Sequence, residues 1–155
     1  MLVDCPNLTQ VTKAAALKQI DLPETVTRIE YNAFDLSGLE SIELPENLNH
    51  IGSYAFASTQ LRSFRMPDGF TASDFGSYAL AYNYRLKTAY MGRNMDYSTF
   101  SDFTAFYRCD SLETLRLYAG TPPSASSYYF GFRSNCVLEV PDDPNVIEAY
   151  QQVEP

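Results

Sequence analysis

A pattern of apolar and polar positions recurs along the chain. Its copies begin at Leu17, Leu39, Leu61, Leu86 and Leu112. In the second copy, Leu39 is followed by Ile42, Leu44 and Pro45. Ile42 and Leu44 are two residues apart, so they point to one face of a β-strand, and the residues on either side of Ile42 point to the other face. Each copy therefore predicts a short strand with one buried row and one exposed row, which proline ends.

The second half of each copy carries apolar residues at a spacing typical of a helical turn. In the second copy these residues are Ile51, Ala55 and Phe56. We expect this half to return the chain behind the strands and to bring one aromatic side chain per copy into the core. A short strand cannot bury its apolar row alone, so neighbouring copies are expected to stack in parallel. The predicted fold is a repeat solenoid, with a parallel β-sheet on one face and short helical turns and irregular segments on the other.

The repeats cover most of the chain, which has 155 residues, about the size of one domain. We predict a single repeat domain over residues 1–155, with atypical ends at 1–16 and 135–155. Near the carboxyl end, Asp143 before Pro144 predicts a helix N-cap, followed by a short closing helix.

The repeat resembles the BspA-type, or treponemal-type, leucine-rich repeat, whose pattern reads L-x-x-I-x-L-P-x-x-V-x-x-I-G-x-x-A-F-x-x-C-x-x. Gly52–Phe56 matches its G-x-x-A-F, and Cys109–Leu112 matches its C-x-x-L. The chain departs from the pattern at Glu30, where glycine is missing, and at Gly92, which replaces proline. The resemblance implies a leucine-rich-repeat solenoid.

The same resemblance implies a bacterial protein that is secreted or located at the cell surface. It implies a non-catalytic recognition or adhesion module whose partner is a protein, either a host extracellular protein or one on another cell. It is also compatible with a part of a larger surface protein. The first residues do not have the pattern of a secretion leader, so the expected location rests on the resemblance alone.

Composition excludes several other classes of function. The formal net charge is −8, from 11 Lys and Arg against 19 Asp and Glu, so the chain repels phosphate backbones and we expect no nucleic-acid partner. One histidine and three scattered cysteines provide no metal site, and no motif indicates a cofactor. No apolar stretch is long enough to cross a membrane.

Catalysis is not predicted. No nucleophile motif accompanies His50, which we interpret as a solvated surface residue. Asp21 and Glu43 are expected on neighbouring strands at a distance compatible with a glycosidase pair, but any acidic strand face produces such pairs. We therefore predict that the protein is not an enzyme.

The cysteines are predicted to be free, without a disulfide. Cys5 and Cys109 occupy a turn position where other copies carry Ser58 and Asn83. Because these two cysteines lie about four strands apart, the distance between them is too long for a disulfide bond. Cys136 is one strand from Cys109 but occupies a different place in its copy.

The exposed strand row carries the functional prediction. The predicted ligand-binding residues, in chain order, are Asp21, Glu43, Arg65, Tyr90 and Arg116. Arginine and tyrosine are enriched at protein contacts, and three of them occupy successive copies. An alternative also remains open, in which the Arg, Tyr and Glu side chains of this row only stabilise the sheet and bind no ligand. Two other functions also remain open: a structural spacer, and a glycan-binding or carbohydrate-active solenoid that uses surface tyrosines such as Tyr82, Tyr84, Tyr90, Tyr128 and Tyr129.

Overall fold

The structure is a computed structural model that describes residues 10–11, 17–70, 75–95, 103–118 and 136–151. Within these ranges the chain forms short strands, one 3-10 helix and one α-helix. The strands are β1 (Gln10–Val11), β2 (Arg28–Ile29), β3 (His50–Ile51), β4 (Ser63–Arg65), β5 (Thr88–Tyr90), β6 (Thr114–Arg116) and β7 (Val137–Glu139). The 3-10 helix is Phe103–Phe106, and the α-helix α1 is Pro144–Gln151.

The strands form two sheets, in the orders β1-β2-β3 and β4-β5-β6-β7, and every pair in them is parallel. Within each sheet, neighbouring strands therefore come from successive repeats. We call each repeat a rung. Parallel stacking of successive repeats confirms the predicted leucine-rich-repeat solenoid.

The two sheets lie on different parts of the repeat. Strands β4 to β7 lie on the predicted strand segment, which we call the strand line, whereas β2 and β3 lie on the segment that follows it, the return line. In the first two rungs the strand line has a single isolated parallel bridge, between Asp21 and Glu43. The sequence predicted one sheet, and the structure thus adds a second one.

A third set of hydrogen bonds joins the turns that follow the return line. Phe34 N–H donates to Ala55 O (2.7 Å), and Phe56 N–H donates to Ala79 O (2.8 Å). Left-handed φ values between 54° and 60° recur in the described turns, at Asn32, Leu36, Tyr54, Ser58, Tyr78, Tyr82 and Arg108. Because an α-helix contains no such residues, these segments are successions of single turns, as in the bond from Ala33 N–H to Glu30 O (3.2 Å), and the fourth copy forms the 3-10 helix Phe103–Phe106. The predicted short helical turns and irregular segments are confirmed as this mixture of turns and one 3-10 helix. A succession of turns produces the same apolar spacing.

The core contains one large side chain per rung from the turns and further apolar residues from the strand line. Phe34 and Phe56 are fully buried, and their rings stack at 5.2 Å between centroids. Phe64 on β4 packs edge to face on Phe56 at 5.6 Å. The burial of Phe34 and Phe56 confirms the predicted role of the repeated phenylalanine. Complete burial of one such side chain contributes about 1.5–3 kcal/mol.

Two glycines allow the return line to approach the preceding rung closely. A Cβ atom at Gly76 would lie 2.1 Å from Ser53 N, and one at Gly52 would lie 2.6 Å from Tyr31 N. These distances are far below van der Waals contact, so no larger residue fits without a backbone shift. The first copy has Glu30 at the equivalent position, at the start of the series.

Gly92 has a similar role on the strand line. A Cβ atom at Gly92 would lie 2.2 Å from Pro67 O, although the second and third copies have proline at this position. The replacement of proline in the fourth copy therefore permits close stacking on the third.

A line of small buried side chains follows the turns through four rungs: Ser37, Thr59, Asn83 and Cys109. Asn83 Nδ2 donates to Phe56 O (2.8 Å) and Leu80 O (2.7 Å), and Thr59 N–H donates to Asn83 Oδ1 (3.1 Å). The sequence comparison placed Ser58 opposite Asn83. This was wrong, because the segment between turn and strand is one residue shorter in the second copy.

The closing helix has the predicted cap. Asp143 Oδ1 accepts from Asn145 N–H (2.8 Å) and Val146 N–H (3.4 Å), and Pro144 is the first helical residue. The N-cap and the N1 proline are therefore confirmed.

Candidate functional site

The strand line brings three of the predicted ligand-binding residues into one row. Arg65 lies opposite Tyr90, and Tyr90 lies opposite Arg116. The Arg65 Cζ atom is 6.0 Å from the centroid of the Tyr90 ring, and the Arg116 Cζ atom is 4.8 Å from it. Both distances are within cation–π range. The buried central residues of the three strands hold this row on the outer face.

Arg116 is also held from the next strand. It forms an ion pair with Glu139, its partner in register on β7. A hydrogen bond with the Tyr118 side chain, and then this ion pair, raise the pKa of Arg116. The Arg116 guanidinium therefore has three partners and a fixed position.

A second row runs beside the first, and the sequence reasoning missed it. Arg93 Cζ is 5.2 Å from the centroid of the Tyr118 ring, and Arg93 Nε is 3.5 Å from Asp68 Oδ2. Asp68, Arg93 and Tyr118 follow one another at equal intervals of 25 residues, which is the signal that could have found them. Tyr118 connects the two rows, because its side chain forms a hydrogen bond with Arg116.

We call these five residues the arginine–tyrosine cluster: Arg65, Tyr90, Arg116, Tyr118 and Arg93. Of its three guanidinium groups, that of Arg116 pairs with Glu139 and that of Arg93 with Asp68. In the part of the chain that the structure describes, Arg65 pairs with no carboxylate, and its side chain is exposed. Arg65 is therefore the cation of the cluster that is open to an incoming anion.

The two acidic residues of the predicted set, Asp21 and Glu43, lie on the earlier rungs, before the arginine–tyrosine cluster. Asp21 and Glu43 are both exposed and face each other across the isolated bridge. Glu43 lines a shallow depression of about 250 Å³ together with Arg65 and Glu46. The structure thus brings Glu43 near Arg65, whereas Asp21 is linked to the set only through Glu43.

A groove lies at the other end of the row, beside α1. It has a volume of about 550 Å³, and Arg116 and Glu139 form its polar wall. Its apolar lining includes Leu138, of which 41% is exposed, and Ile147 on α1. The groove is therefore continuous with the arginine–tyrosine cluster.

His50 lies on β3 and is not a solvated residue. Its side chain is only 20% exposed, and its Nε2 atom is 3.7 Å from Glu30 Oε2. Glu30 also accepts from Arg28 Nε (2.8 Å), and this hydrogen bond lowers the pKa of Glu30. The prediction of a solvated histidine was wrong because the return line forms a sheet that covers it.

The described thiols, Cys109 and Cys136, are free. Burial raises the pKa of Cys109 to about 12, and its Sγ donates to Leu80 O (3.1 Å). Burial also raises the pKa of Cys136, which is partly exposed. Neither thiol has the lowered pKa of a nucleophile. Cys5 lies outside the described residues.

Tyrosines also form a stripe along the turns, on another part of the rung. Tyr54 and Tyr78 stack at 5.1 Å between centroids, and Tyr107 packs edge to face on both Tyr78 and Tyr82. These contacts leave less of the ring faces for a sugar ring, although Tyr107 is still 37% exposed. Tyr84 is 53% exposed, and the predicted pair Tyr128 and Tyr129 lies outside the described residues.

The residues that the structure describes contain no group of three or more His, Cys, Asp or Glu side chains that could hold a metal ion. Among their helices, none has the length and apolar character that a membrane crossing requires.

Solved structures with a similar fold come from several bacteria. A leucine-rich repeat protein from Bacteroides ovatus is 22% identical, with a TM-score of 0.55 over 73% of this chain. The pneumococcal vaccine antigen PcpA is 18% identical (TM-score 0.66, 94% of this chain), and a leucine-rich repeat protein from Eubacterium ventriosum is 16% identical (TM-score 0.66, 86%). This chain spans 32% to 36% of the length of each. No curated protein matches it.

The family model for the BspA type leucine rich repeat region matches residues 10–135 in six copies. The match covers most of the chain, and the parallel rungs of the structure agree with it. The chain therefore belongs to the BspA-type leucine-rich repeat family.

Proposed function

We propose that the protein is a non-catalytic recognition module, secreted or at the bacterial cell surface, that binds a protein ligand through the strand line. Arg65, Tyr90 and Arg116 would form the centre of the contact, with Glu43 and Asp21 at its acidic edge. The observation that carries the proposal is the alternating arrangement of arginine and tyrosine across three rungs.

The cluster has two properties that favour binding of a protein. Arginine and tyrosine are the side chains most often found to dominate the energy of protein contacts. Arg116 and Arg93 are already held by carboxylates and aromatic rings, so little side-chain entropy is lost when a partner binds. The description of one similar structure as a vaccine antigen supports a location outside the cell.

The carbohydrate alternatives have less support. Asp21 and Glu43 are exposed, whereas a glycosidase acid works in surroundings that raise its pKa. The ring faces along the tyrosine stripe contact one another. The arrangement therefore favours protein recognition over sugar binding or hydrolysis.

Binding to an immobilised panel of extracellular-matrix proteins and to a glycan array tests the proposal. Arg65→Glu should weaken binding to a matrix protein by about tenfold or more, because a central charge is reversed. The matched control is Arg85→Glu, which makes the same charge change at an exposed turn position outside the cluster and should leave binding unchanged.

The other outcomes each contradict the proposal. Equal effects of the two variants would exclude Arg65 from the contact. Binding only to glycans would favour a carbohydrate ligand. Binding to neither panel would favour a structural spacer.

A further inference from the structure

We infer that the ligand is an extended peptide segment with a carboxylate that binds Arg65 and, about four residues away, an apolar side chain that enters the groove between β7 and α1. The inference rests on the proposed function, because it assigns the class of ligand for the same surface. It adds the groove as a second contact and sets the distance between the two contacts.

The distribution of charge favours a single carboxylate. Arg65 is the cation of the cluster that pairs with no carboxylate in the part of the chain described by the structure. Glu43 and Glu46 line the depression beside it, so a polyanion such as a sulfated glycan would meet two negative charges there. One isolated carboxylate can reach Arg65 from the β5 side of the row without passing these side chains. A peptide with one acidic residue therefore fits the site better than a polyanion.

The groove favours an apolar side chain. Its volume of about 550 Å³ lies in the usual range of ligand clefts. In its charged wall Arg116 and Glu139 pair with each other, and Asp142 adds a carboxylate to the lining, so a second anion is disfavoured there. The remaining open surface includes Leu138, which is 41% exposed, and Ile147. An apolar group that covers Leu138 would gain burial without breaking the ion pair.

The register of the strands sets the distance between the two contacts. Arg65 on β4 and Leu138 on β7 are three strands apart in one sheet, which corresponds to about 14–15 Å at the usual strand spacing. An extended peptide advances about 3.3 Å per residue, so this distance spans about four residues. The ligand would cross the strands along the row, with its acidic residue at β4 and its apolar residue at β7.

A peptide array provides the test. The probes are immobilised peptides of glycine and serine that carry one aspartate and one leucine, with the number of residues between them varied. We expect the strongest binding for Asp-x-x-x-Leu and Leu-x-x-x-Asp spacings. Replacement of leucine by serine in the best peptide should weaken binding by about tenfold, as expected for one buried apolar side chain.

Variants of the whole chain separate the two contacts. Leu138→Ser removes the apolar part of the groove, and Leu138→Trp fills it. Each variant should abolish the preference for leucine and keep the dependence on aspartate. Arg65→Glu should abolish the dependence on aspartate. Circular dichroism confirms that each variant is folded, and the second Leu138 variant replaces the first if that one unfolds.

Three results would overturn the inference. If binding depends on aspartate and Arg65 but not on leucine, or if both Leu138 variants keep the preference for leucine, the groove is not part of the site and the proposed function remains. If a matrix protein binds through Arg65 but no peptide binds, the ligand is not a short extended segment. If Arg65→Glu changes nothing, the proposed site itself is wrong, and the inference fails with it.

Discussion

The first two rungs and the later rungs of this solenoid form their regular sheets on different parts of the same repeat. In the first two, β2 and β3 pair on the return line, and the strand line has only the bridge between Asp21 and Glu43. In the later rungs, β4 to β7 pair along the strand line over three residues each. Among the described residues, the return line continues towards these rungs as a bridge between Ile51 and Phe75.

The side chains that face each other across the rungs differ in the same way. Asp21 and Glu43 are like charges in directly opposite positions, which destabilises a strand pair. Tyr90 lies between two arginines, and Arg116 pairs with Glu139, so every neighbouring contact in the later row is attractive. The sheet is regular where these cross-rung contacts are favourable.

The second row also changes from acidic residues in the first rungs to attractive contacts in the later rungs. Its first rungs carry Glu24 and Glu46, and it continues with Asp68, Arg93 and Tyr118. Arg93 contacts both Asp68 and Tyr118. The comparison indicates that the arginine–tyrosine cluster both stabilises the later strands and presents the proposed contact surface.

The largest expected effect comes from a methyl group between rungs. Gly76→Ala would place a Cβ atom 2.1 Å from Ser53 N, where only a backbone shift can relieve the contact. We expect the free energy of unfolding to fall by about 3 kcal/mol or more, near the upper end of overpacking costs. Urea unfolding measures this change. Hydrogen exchange should show the loss first at the Gly76 amide, which donates to Ile51 O.

Gly38→Ala is the matched control. Its Cβ atom would lie 3.3 Å from Lys18 Cγ, in a flexible exposed side chain that can move away. We expect a change within about 0.5 kcal/mol. If Gly76→Ala were equally mild, close stacking on the return line would not hold the first rungs together.

A smaller effect is expected at the line of small buried side chains that runs through both the first and the later rungs. Asn83→Ala would remove the donor to Phe56 O and the acceptor of Thr59 N–H, whereas Leu80 O keeps its contact from Cys109 Sγ. The expected loss is about 2 kcal/mol in the free energy of unfolding, the cost of buried polar groups left without partners. Thermal and urea unfolding measure it.

Asn47→Ala serves as the comparison for Asn83→Ala. Asn47 Nδ2 donates to Glu24 O at 3.2 Å, but this contact is exposed, so water can replace it. The expected change is below about 0.5 kcal/mol. Similar losses in the two variants would mean that the buried line does not join the rungs.

The apolar spacing was sufficient to predict the parallel stacking and the core phenylalanines, and Asp143 before Pro144 predicted the helix cap. It did not predict the second sheet, because Ile29 and Ile51 have the same spacing from Ala33 and Ala55 in a helical turn as in a strand followed by left-handed turns. Only the φ values of residues such as Tyr54, which depend on contacts between rungs, separate the two.

For the candidate site, period-two alternation placed Arg65, Tyr90 and Arg116 in one row. The second row was missed because Arg93 and Tyr118 lie after the strand segment, and only the strand positions were aligned from copy to copy. The burial of His50 could not be predicted either, since it depends on the sheet that the return line forms.

The smallest expected effect tests whether side-chain pairs decide where the sheet is regular. Asp21→Lys would replace a like-charge pair by an opposite-charge pair with Glu43 across the isolated bridge. We expect a gain of about 0.5 kcal/mol in the free energy of unfolding, typical of a cross-strand pair. Asp21→Asn, which only removes the repulsion, should give a smaller gain.

Salt provides the internal control for this pair. Both side chains are exposed, so 1 M salt, with a Debye length of about 3 Å, should reduce the difference between Asp21→Lys and Asp21→Asn. Hydrogen exchange should also show slower exchange at the Glu40 amide, which donates to Lys18 O near this bridge. If Asp21→Lys gains no more than Asp21→Asn at low salt, charge pairing does not determine the regularity of the strand line. The backbone approach at Gly52 and Gly76 would then be the remaining reason that the first rungs form their sheet on the return line.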